Sequence, residues 1–329
     1  MSSIRKVAMF GQRKNKTNSP THPIPGLRQL RCPNNRRSPQ AGFEVTIFTR
    51  PAGTSSSSSS NPNPTRSFPA EAGSIVELDY SDVAKLTPAL AGHDAVVSVL
   101  GPGAIAHEVP LVDAAEAAGV KRFVVNDFGW GQNPRSYPEM VEVGSRRHVA
   151  WDRAKEKAKA NSGFTWTGVT IGNPIDWALR RFPRMGFNVA DHTAVIYDSG
   201  TEFFTGTTLE GIGQAVAGVL SHPEETANRF VKARSIKTCQ NELLEAFQKE
   251  SSGEPWTVKH EKVADLLERG LQKHQAGTPG WILDMLVAQL YEEGSARCVV
   301  AASREDSDAE LLGIRKETAR EVVAKALGK

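Results

Sequence analysis

Two side chains that could transfer or orient a proton lie on one long helical pattern over 139–160. Histidine side chains titrate near neutral pH, so His148 could act as a general acid. Trp151 and Lys155 have the spacing of a dehydrogenase Tyr-x-x-x-Lys pair, but an indole has no ionisable proton to give. Plainer interpretations stay open, because a lone helix histidine is usually solvated or packed and Lys155 begins a charged run typical of a solvated helix face.

A nucleotide-binding pattern is present at the end of the first apolar run but is incomplete beyond it. The first apolar run ends at Gly11, but the residues after it, QRKNKT over 12–17, contain none of the glycines that let a backbone approach a pyrophosphate. The second apolar run ends at Arg50, where an acid would bind the ribose hydroxyls of NAD. A basic residue there favours the extra phosphate of NADP. A solvated arginine at a strand end is the alternative.

Further polar and glycine-rich turns follow later apolar runs, at positions that a parallel sheet would bring to one edge. Ligands of doubly wound folds bind at that edge. Besides Gly11 and Arg50, the candidate cofactor-binding residues are Leu100, Gly101, Asn126, Asp127, Phe128 and Asn173. An ordinary turn at 100–103 is the alternative there.

The elements that must position these residues are short apolar strands alternating with helices. The predicted strands are 7–10, 45–48, 75–78, 95–100, 123–125 and 165–171, and the predicted helices between them are 83–90, 110–118 and 139–160. Fully apolar strands that alternate with helices indicate an α/β fold with a doubly wound parallel sheet.

The pattern changes beyond residue 174. Predicted helices lie at 210–220, 238–249, 261–273, 281–292 and 316–326, with one strand at 229–232. We therefore expect a nucleotide-binding domain at 1–174 and a smaller, mainly helical substrate cap at 175–329, partly interleaved with the sheet.

One segment contradicts the fold. Residues 12–40, which we call the basic insert, contain seven basic residues, five prolines and no acid, yet they lie where a crossover helix is required. Without those seven charges the formal net charge of +3 becomes −4, so a nucleic-acid partner would depend on this insert alone. A second anomalous stretch, the serine tract at 55–60, is typical of a mobile loop.

The remaining composition predicts a cytoplasmic protein. Three distant cysteines give neither a disulfide framework nor a zinc pattern, and they fit a reducing compartment. No apolar stretch is long enough for a membrane span. The histidines show no close pairing, and no Gly-x-Ser-x-Gly elbow is visible, so we expect no metal site and no hydrolase site.

In this order the pieces resemble the isoflavone reductase-like family of atypical short-chain dehydrogenases, which includes NmrA-like proteins and many fungal oxidoreductases. The matching text is VAMFG at 7–11, AGFEVTIFTR at 41–50, VELDYSDVAKLTPALAGHDAVVSVLG at 76–101, DAAEAAGVKRFVVNDFG at 113–129 and FTWTGVTIGNP at 164–174. In such relatives Gly11 would open a Gly-x-x-Gly-x-x-Gly loop and a helix reaching Ala41. We therefore interpret the basic insert as a gene-model or splicing error or a pseudogene feature, the alternative being a real arm that binds a partner.

The resemblance also implies a lysine near the nicotinamide, on the helix after the fifth strand. Counting back from Phe164 places it at 147–150, where no lysine stands. Arg147, His148 and Lys155 are therefore the candidate catalytic residues.

Together these patterns predict an NADP-dependent oxidoreductase that passes hydride to a small aromatic or hydrophobic metabolite. Two alternatives stay open. One is a non-catalytic NmrA-like nucleotide sensor with a protein partner, and the other is an inactive product of a defective gene model.

Overall fold

The computed structural model describes residues 3–11, 42–50, 74–132, 134–251 and 254–329. Within these ranges the strands are β1 Lys6–Gly11, β2 Glu44–Thr49, β3 Ser74–Glu77, β4 Ala95–Val99, β5 Arg122–Val125, β6 Thr165–Thr170, β7 Asn173–Pro174, β8 Phe187–Asn188, β9 Thr193–Tyr197, β10 Phe204–Thr207, β11 Arg229–Lys232, β12 Ile236–Thr238 and β13 Thr257–Glu261. The α-helices are α1 Val83–Leu90, α2 Glu108–Ala117, α3 Pro138–Ser145, α4 His148–Ala160, α5 Ile175–Leu179, α6 Leu209–Ser221, α7 Gln240–Glu250, α8 Val263–Gln275, α9 Trp281–Tyr291 and α10 Ala319–Leu327. A 3₁₀ helix, Pro102–His107, leads into α2. The basic insert and the serine tract lie outside the described residues.

The central sheet has seven parallel strands in the order β11-β6-β5-β4-β1-β2-β3. The predicted doubly wound parallel sheet is confirmed, and the predicted strands agree with the observed ones to within one residue at each end. The agreement has a physical reason. A strand covered on both faces must be apolar at every position, so it stands out as a continuous run between polar turns.

Helical layers bury both faces of this sheet. On one face Phe10, Val96 and Phe123 share a core with Leu111 of α2 and Trp151 of α4. The other face is formed by side chains of the alternate strand positions, and α6 covers it together with the segment 309–314. The sheet is therefore a rigid base whose strand ends can hold a site.

The C-terminal half forms the mainly helical cap that was predicted. Its core joins α7–α10 to two small three-stranded sheets, β12-β10-β7 and β13-β9-β8. The sequence did not predict these small sheets, because strands of two to five residues with mixed polarity carry little periodic signal. The chain also returns from this half to the central sheet, adding β11 at one edge and α6 on one face.

The single helix predicted over 139–160 is wrong. Two helices, α3 and α4, occupy this stretch and are separated by Arg146 and Arg147. Gly144 and Ser145 end the first helix, and glycine is a poor helix former. The break is important because it makes Arg147 the N-cap residue and His148 the first residue of α4.

A buried arginine joins three parts of the chain at the opposite, amino edge of the sheet. Arg122, at the start of β5, is 1% exposed. Its guanidinium donates to Thr167 Oγ1 at 2.5 Å, to Thr226 Oγ1 at 3.2 Å and to the Pro223 carbonyl. Burial lowers the pKa of Arg122 to about 10, so the side chain stays charged at neutral pH.

Candidate active site at the carboxyl ends of the parallel strands

The candidate site begins where the strand order reverses. β1 lies between β2 and β4, and its last residue, Gly11, pairs with Val99. Leu100 and Gly101 follow Val99 directly, so the structure brings these predicted cofactor residues beside Gly11. Doubly wound sheets bind ligands in the crevice opened by such a reversal.

Arg50 follows the adjacent strand at the same edge. Phe10 of β1 lies opposite Phe48 of β2, and their rings stack with centroids 4.7 Å apart. The Tyr80 hydroxyl donates to the Phe48 carbonyl at 2.6 Å. These contacts fix the end of β2 one strand away from Gly11, a separation of ~4.8 Å between neighbouring strands.

The side chain of Asn126 connects two strand ends. Its Nδ2 donates to the Leu100 carbonyl at 2.7 Å, and the residue is 3% exposed. It therefore holds the turn at Leu100 and Gly101 in place, and its direct contact with a cofactor stays a prediction.

Glu108 is a buried acid that the sequence reasoning missed. It begins α2, and its Oε1 accepts a hydrogen bond from the Asn126 backbone N–H at 2.6 Å. Within the described part of the chain, its Oε2 is buried without a hydrogen-bond partner. Burial raises the pKa of Glu108 to about 7, although the Asn126 hydrogen bond and the charge of Arg147 oppose that rise. The available signal was an isolated acid before the apolar VPLV run.

Asp127 is a second buried carboxyl group, adjacent to the first. Its Oδ2 accepts from the Thr170 hydroxyl at 2.6 Å and its Oδ1 from the Gly131 N–H at 3.2 Å. Burial raises the pKa of Asp127 to about 6, against the opposing effects of Thr170 and Arg147. These bonds direct the carboxylate into the protein, so Asp127 holds the end of β5 against the end of β6.

The turn after Asp127 is conformationally unusual. Phe128 has a φ of +38°, a region that bulky side chains rarely adopt. The next carbonyl, that of Gly129, accepts from the Ile171 and Gly172 N–H groups at 3.0 and 2.9 Å. Gly131 has a φ of +84°, and a Cβ there would lie 3.0 Å from Thr170 Oγ1. The turn is thereby held against β6 at the carboxyl edge of the sheet.

Arg147 and His148 stand at the start of α4. A Cβ at Gly129 would lie 3.6 Å from both Arg147 Nη1 and Asp127 Oδ1, so these two side chains flank the same turn. Arg147 Nε is buried and has no hydrogen-bond partner among the described residues. The ring of His148 packs 4.8 Å from that of Trp151. The break between α3 and α4 therefore accompanies the approach of Arg147 to the end of β5, with His148 next to it in the chain.

Two other predicted site residues, Lys155 and Asn173, lie away from the end of β5. Lys155 lies seven residues along α4, about 10 Å from its start at 1.5 Å per residue. It pairs with Asp152 at 2.9 Å and lies 5.9 Å from the Trp166 ring, near the beginning of β6. Asn173 begins β7 and donates to Met185 Sδ at 3.6 Å, which directs it into the cap.

The aromatic residues that could have lined a cleft belong mostly to the cap core. Tyr137, Trp177, Met185 and Phe187 are all buried in it. Phe182 differs, since it is 49% exposed. Packing of the cap therefore accounts for the four buried residues.

The comparison with known proteins agrees with this geometry. A family described as NAD(P)H-binding matches residues 40–223, which is more than half of the chain. The chain belongs to this NAD(P)H-binding family. The match begins where the basic insert ends.

Relatives of this family member are oxidoreductases. The oxidoreductase PoxI of Penicillium oxalicum is 55% identical over 288 residues, covering 88% of this chain and 87% of that protein. An isoflavone reductase homolog of Zea mays is 29% identical over 195 residues, covering 56% and 60%. Leucoanthocyanidin reductase of Vitis vinifera, solved in a binary complex with NADPH, has a TM-score of 0.69 at 18% identity, covering 98% of this chain and 100% of that one. The predicted resemblance to isoflavone reductase-like proteins is confirmed.

The described residues contain neither a metal cluster nor a membrane span. No group of three or more His, Cys, Asp or Glu residues among them could hold a metal ion. In the same residues no helix has the length and apolar character needed to cross a membrane.

Proposed function

We propose that this NAD(P)H-binding protein is an NADP-dependent reductase that transfers hydride to a small aromatic or hydrophobic metabolite. One observation carries the proposal: the ends of β1, β4 and β5 meet at the reversal of strand order, and Arg50 follows the neighbouring strand. A guanidinium at that position suits the 2′-phosphate that distinguishes NADP from NAD.

The residues at this edge fit a dinucleotide. Gly11, Leu100 and Gly101 present backbone at the crevice, as the fold requires. Thr49 Oγ1 and Arg147 Nε are buried polar atoms that make no hydrogen bond to any described residue. Buried polar atoms are normally paired, so both are suited to a polar ligand. The NADPH in the leucoanthocyanidin reductase complex supports the choice of cofactor.

A bound nicotinamide supplies the hydride, and the chain or solvent must supply the proton. Arg147 has a planar fork of donors, so we assign it the orientation of an oxygen-bearing substrate group. His148 is the candidate proton donor, since imidazole can give up a proton near neutral pH. Asp127 and Glu108 do not contact the substrate in this proposal. They hold the turn that Arg147 flanks.

Fluorescence titration with NADPH and NADH tests the cofactor proposal. We expect NADPH to bind more tightly, and Arg50→Gln to weaken NADPH about 10- to 100-fold, the equivalent of one charged hydrogen bond, with little effect on NADH. Arg50→Lys is the control that keeps the charge but loses the fork. Equal losses for both cofactors in Arg50→Gln would refute the phosphate role.

A nucleotide sensor is the second candidate, and a specific observation favours it. The family lysine is missing, and the only lysine predicted for catalysis is paired with Asp152. Both candidates bind NADPH, but only a reductase oxidises it when offered a library of carbonyl compounds and enones. Binding without oxidation across that library would favour the sensor.

An inactive product is the third candidate, motivated by the basic insert. The family match starts at residue 40, after the position of the missing glycines. Failure to bind either cofactor would support this candidate. Sequencing the transcript addresses the origin of the insert, because an uninterrupted message encoding the same residues would rule out a gene-model error.

A further inference from the structure

A group of arginines follows the first turn of the cap. Residues 180–184 carry Arg180, Arg181 and Arg184, directly after α5. The guanidinium carbons of Arg181 and Arg184 lie 4.3 and 5.1 Å from the centroid of the Trp177 ring. Arg180 differs, because its Nη2 donates to the Lys325 carbonyl at the end of α10.

The positive charge at Trp177 has no acidic partner in the part of the chain that the structure describes. Neither Arg181 nor Arg184 forms an ion pair with any described residue, although both are partly buried. The nearest acid in the sequence, Asp176, already accepts from the N–H groups of Leu209 and Trp177. Guanidinium groups that are partly shielded from water and have no acidic partner in the described residues can bind an anion.

The donors of the two arginines are largely unused. Arg181 Nη1 donates to the Trp177 carbonyl at 2.9 Å, whereas its Nε is buried without a partner in the described ranges. The guanidinium of Arg184 makes no hydrogen bond to a described residue. Burial lowers the pKa of both arginines, and the charges of Arg184 and Arg180 add to the effect on Arg181.

We propose that Arg181 and Arg184 bind the carboxylate of an aromatic acid, and that the substrate of the proposed reductase carries such a group. The guanidinium fork matches a carboxylate in two parallel hydrogen bonds. Phe182 lies between the arginines in the chain and is 49% exposed, which offers a flat apolar surface beside the charge. The chain reaches this segment from the carboxyl end of β6 by way of β7 and α5. The substrate part of this inference rests on the proposed function.

Stacking on Trp177 is the competing explanation, because cation–π contacts stabilise arginines without any anion. The two explanations differ in their preference for a charged ligand. Isothermal titration with 1-naphthoate and its neutral amide, without any nicotinamide cofactor, separates them. We expect the carboxylate to bind about tenfold more tightly than the amide, the effect of one charge-assisted contact.

Three variants locate the contact. Arg181→Gln and Arg184→Gln should each remove most of the preference for 1-naphthoate and leave amide binding unchanged. Arg180→Gln removes the same charge from the same segment, but its guanidinium is engaged with Lys325, so the preference should persist. Thermal unfolding of each variant checks that it is folded.

Three results would overturn the inference: equal affinity for acid and amide, an equal loss in Arg180→Gln, or no saturable binding of 1-naphthoate at millimolar concentration. Because the titration contains no cofactor, a failure to bind NADPH leaves this inference standing. Likewise, failure here leaves the cofactor proposal intact.

Discussion

The two buried carboxyl groups beneath the strand ends should make the stability of the folded protein depend on pH. Glu108 and Asp127 have pKa values raised by burial to about 7 and about 6. Their protonated forms are thus favoured more in the folded than in the unfolded chain. The folded chain therefore binds more protons between the ordinary carboxyl pKa and neutrality, and its stability falls as pH rises through this interval.

Replacing Glu108 with Gln should remove part of that dependence. The amide keeps the oxygen that accepts from Asn126, but it cannot ionise. The wild type should lose on the order of 3 kcal/mol relative to the variant between pH 5 and pH 8. Urea unfolding at several pH values measures the difference. Asp127→Asn should reduce the remaining slope, and an identical pH profile for Glu108→Gln and the wild type would contradict the assignment.

At the scale of single residues, the sequence predicted positions better than contacts. Gly11, Arg50, Leu100 and Gly101 lie at or just after the ends of apolar strands, and their contact with a cofactor stays a prediction. Glu108 was missed because the helix was predicted to start at Pro110. The structure instead holds Pro110 inside the first turn, where proline is tolerated, and the acid before it is buried.

Between elements, the contact of α6 with the segment 308–314 leaves no space for a side chain. A Cβ at Gly218 would lie 2.6 Å from the Leu312 Cα and carbonyl oxygen. Backbone atoms cannot move aside as a flexible side chain can, so this helix must carry glycine at its point of closest approach.

Gly218→Ala should therefore destabilise the protein despite alanine's better helix propensity. We expect a loss of about 1–3 kcal/mol in the free energy of unfolding, as for other overpacked sites. Gly144→Ala in α3 is the matched control, because nothing lies within 4 Å of a Cβ there. That change should be neutral or stabilising by about 0.5–1 kcal/mol. If both variants shift stability in the same direction, the close contact is not what determines the effect.

Element boundaries were predictable in the central sheet but not in the small sheets of the cap. β11 was predicted at its observed bounds, whereas β8, β9 and β13 in the cap were not anticipated. In β13 most residues are exposed, so no apolar run marks it. Similarly, the interruption before His148 depends on how α3 and α4 pack, which a helical period over 139–160 does not reveal.

For the whole molecule, the two halves of the sequence share one core. Ile212, Val216 and Val231 from the second half pack with Met9 and Val97 from the first. The domain boundary at residue 174 stays a prediction. It would divide the chain, but residues from both sides of it belong to the central sheet and its core.

A fragment that ends at residue 174 should consequently not fold cooperatively. It would lack β11 and leave the sheet face under α6 open to water. Urea unfolding followed by near-UV circular dichroism should show no sharp transition, in contrast to the full chain as the control. A cooperative transition with native-like aromatic signals would show that the first half is independent.

Arg122 constrains how this sequence can change. No acid among the residues that the structure describes forms an ion pair with it, and three oxygens contributed by Thr167, Thr226 and Pro223 surround it. A shorter or uncharged residue at 122 would leave those oxygens without their donor, and an apolar residue at 167 or 226 would leave the cation poorly solvated. Arg122 and Thr226, which are 104 residues apart in the chain, therefore depend on each other. A designer who wishes to redesign the far end of this sheet must replace them together.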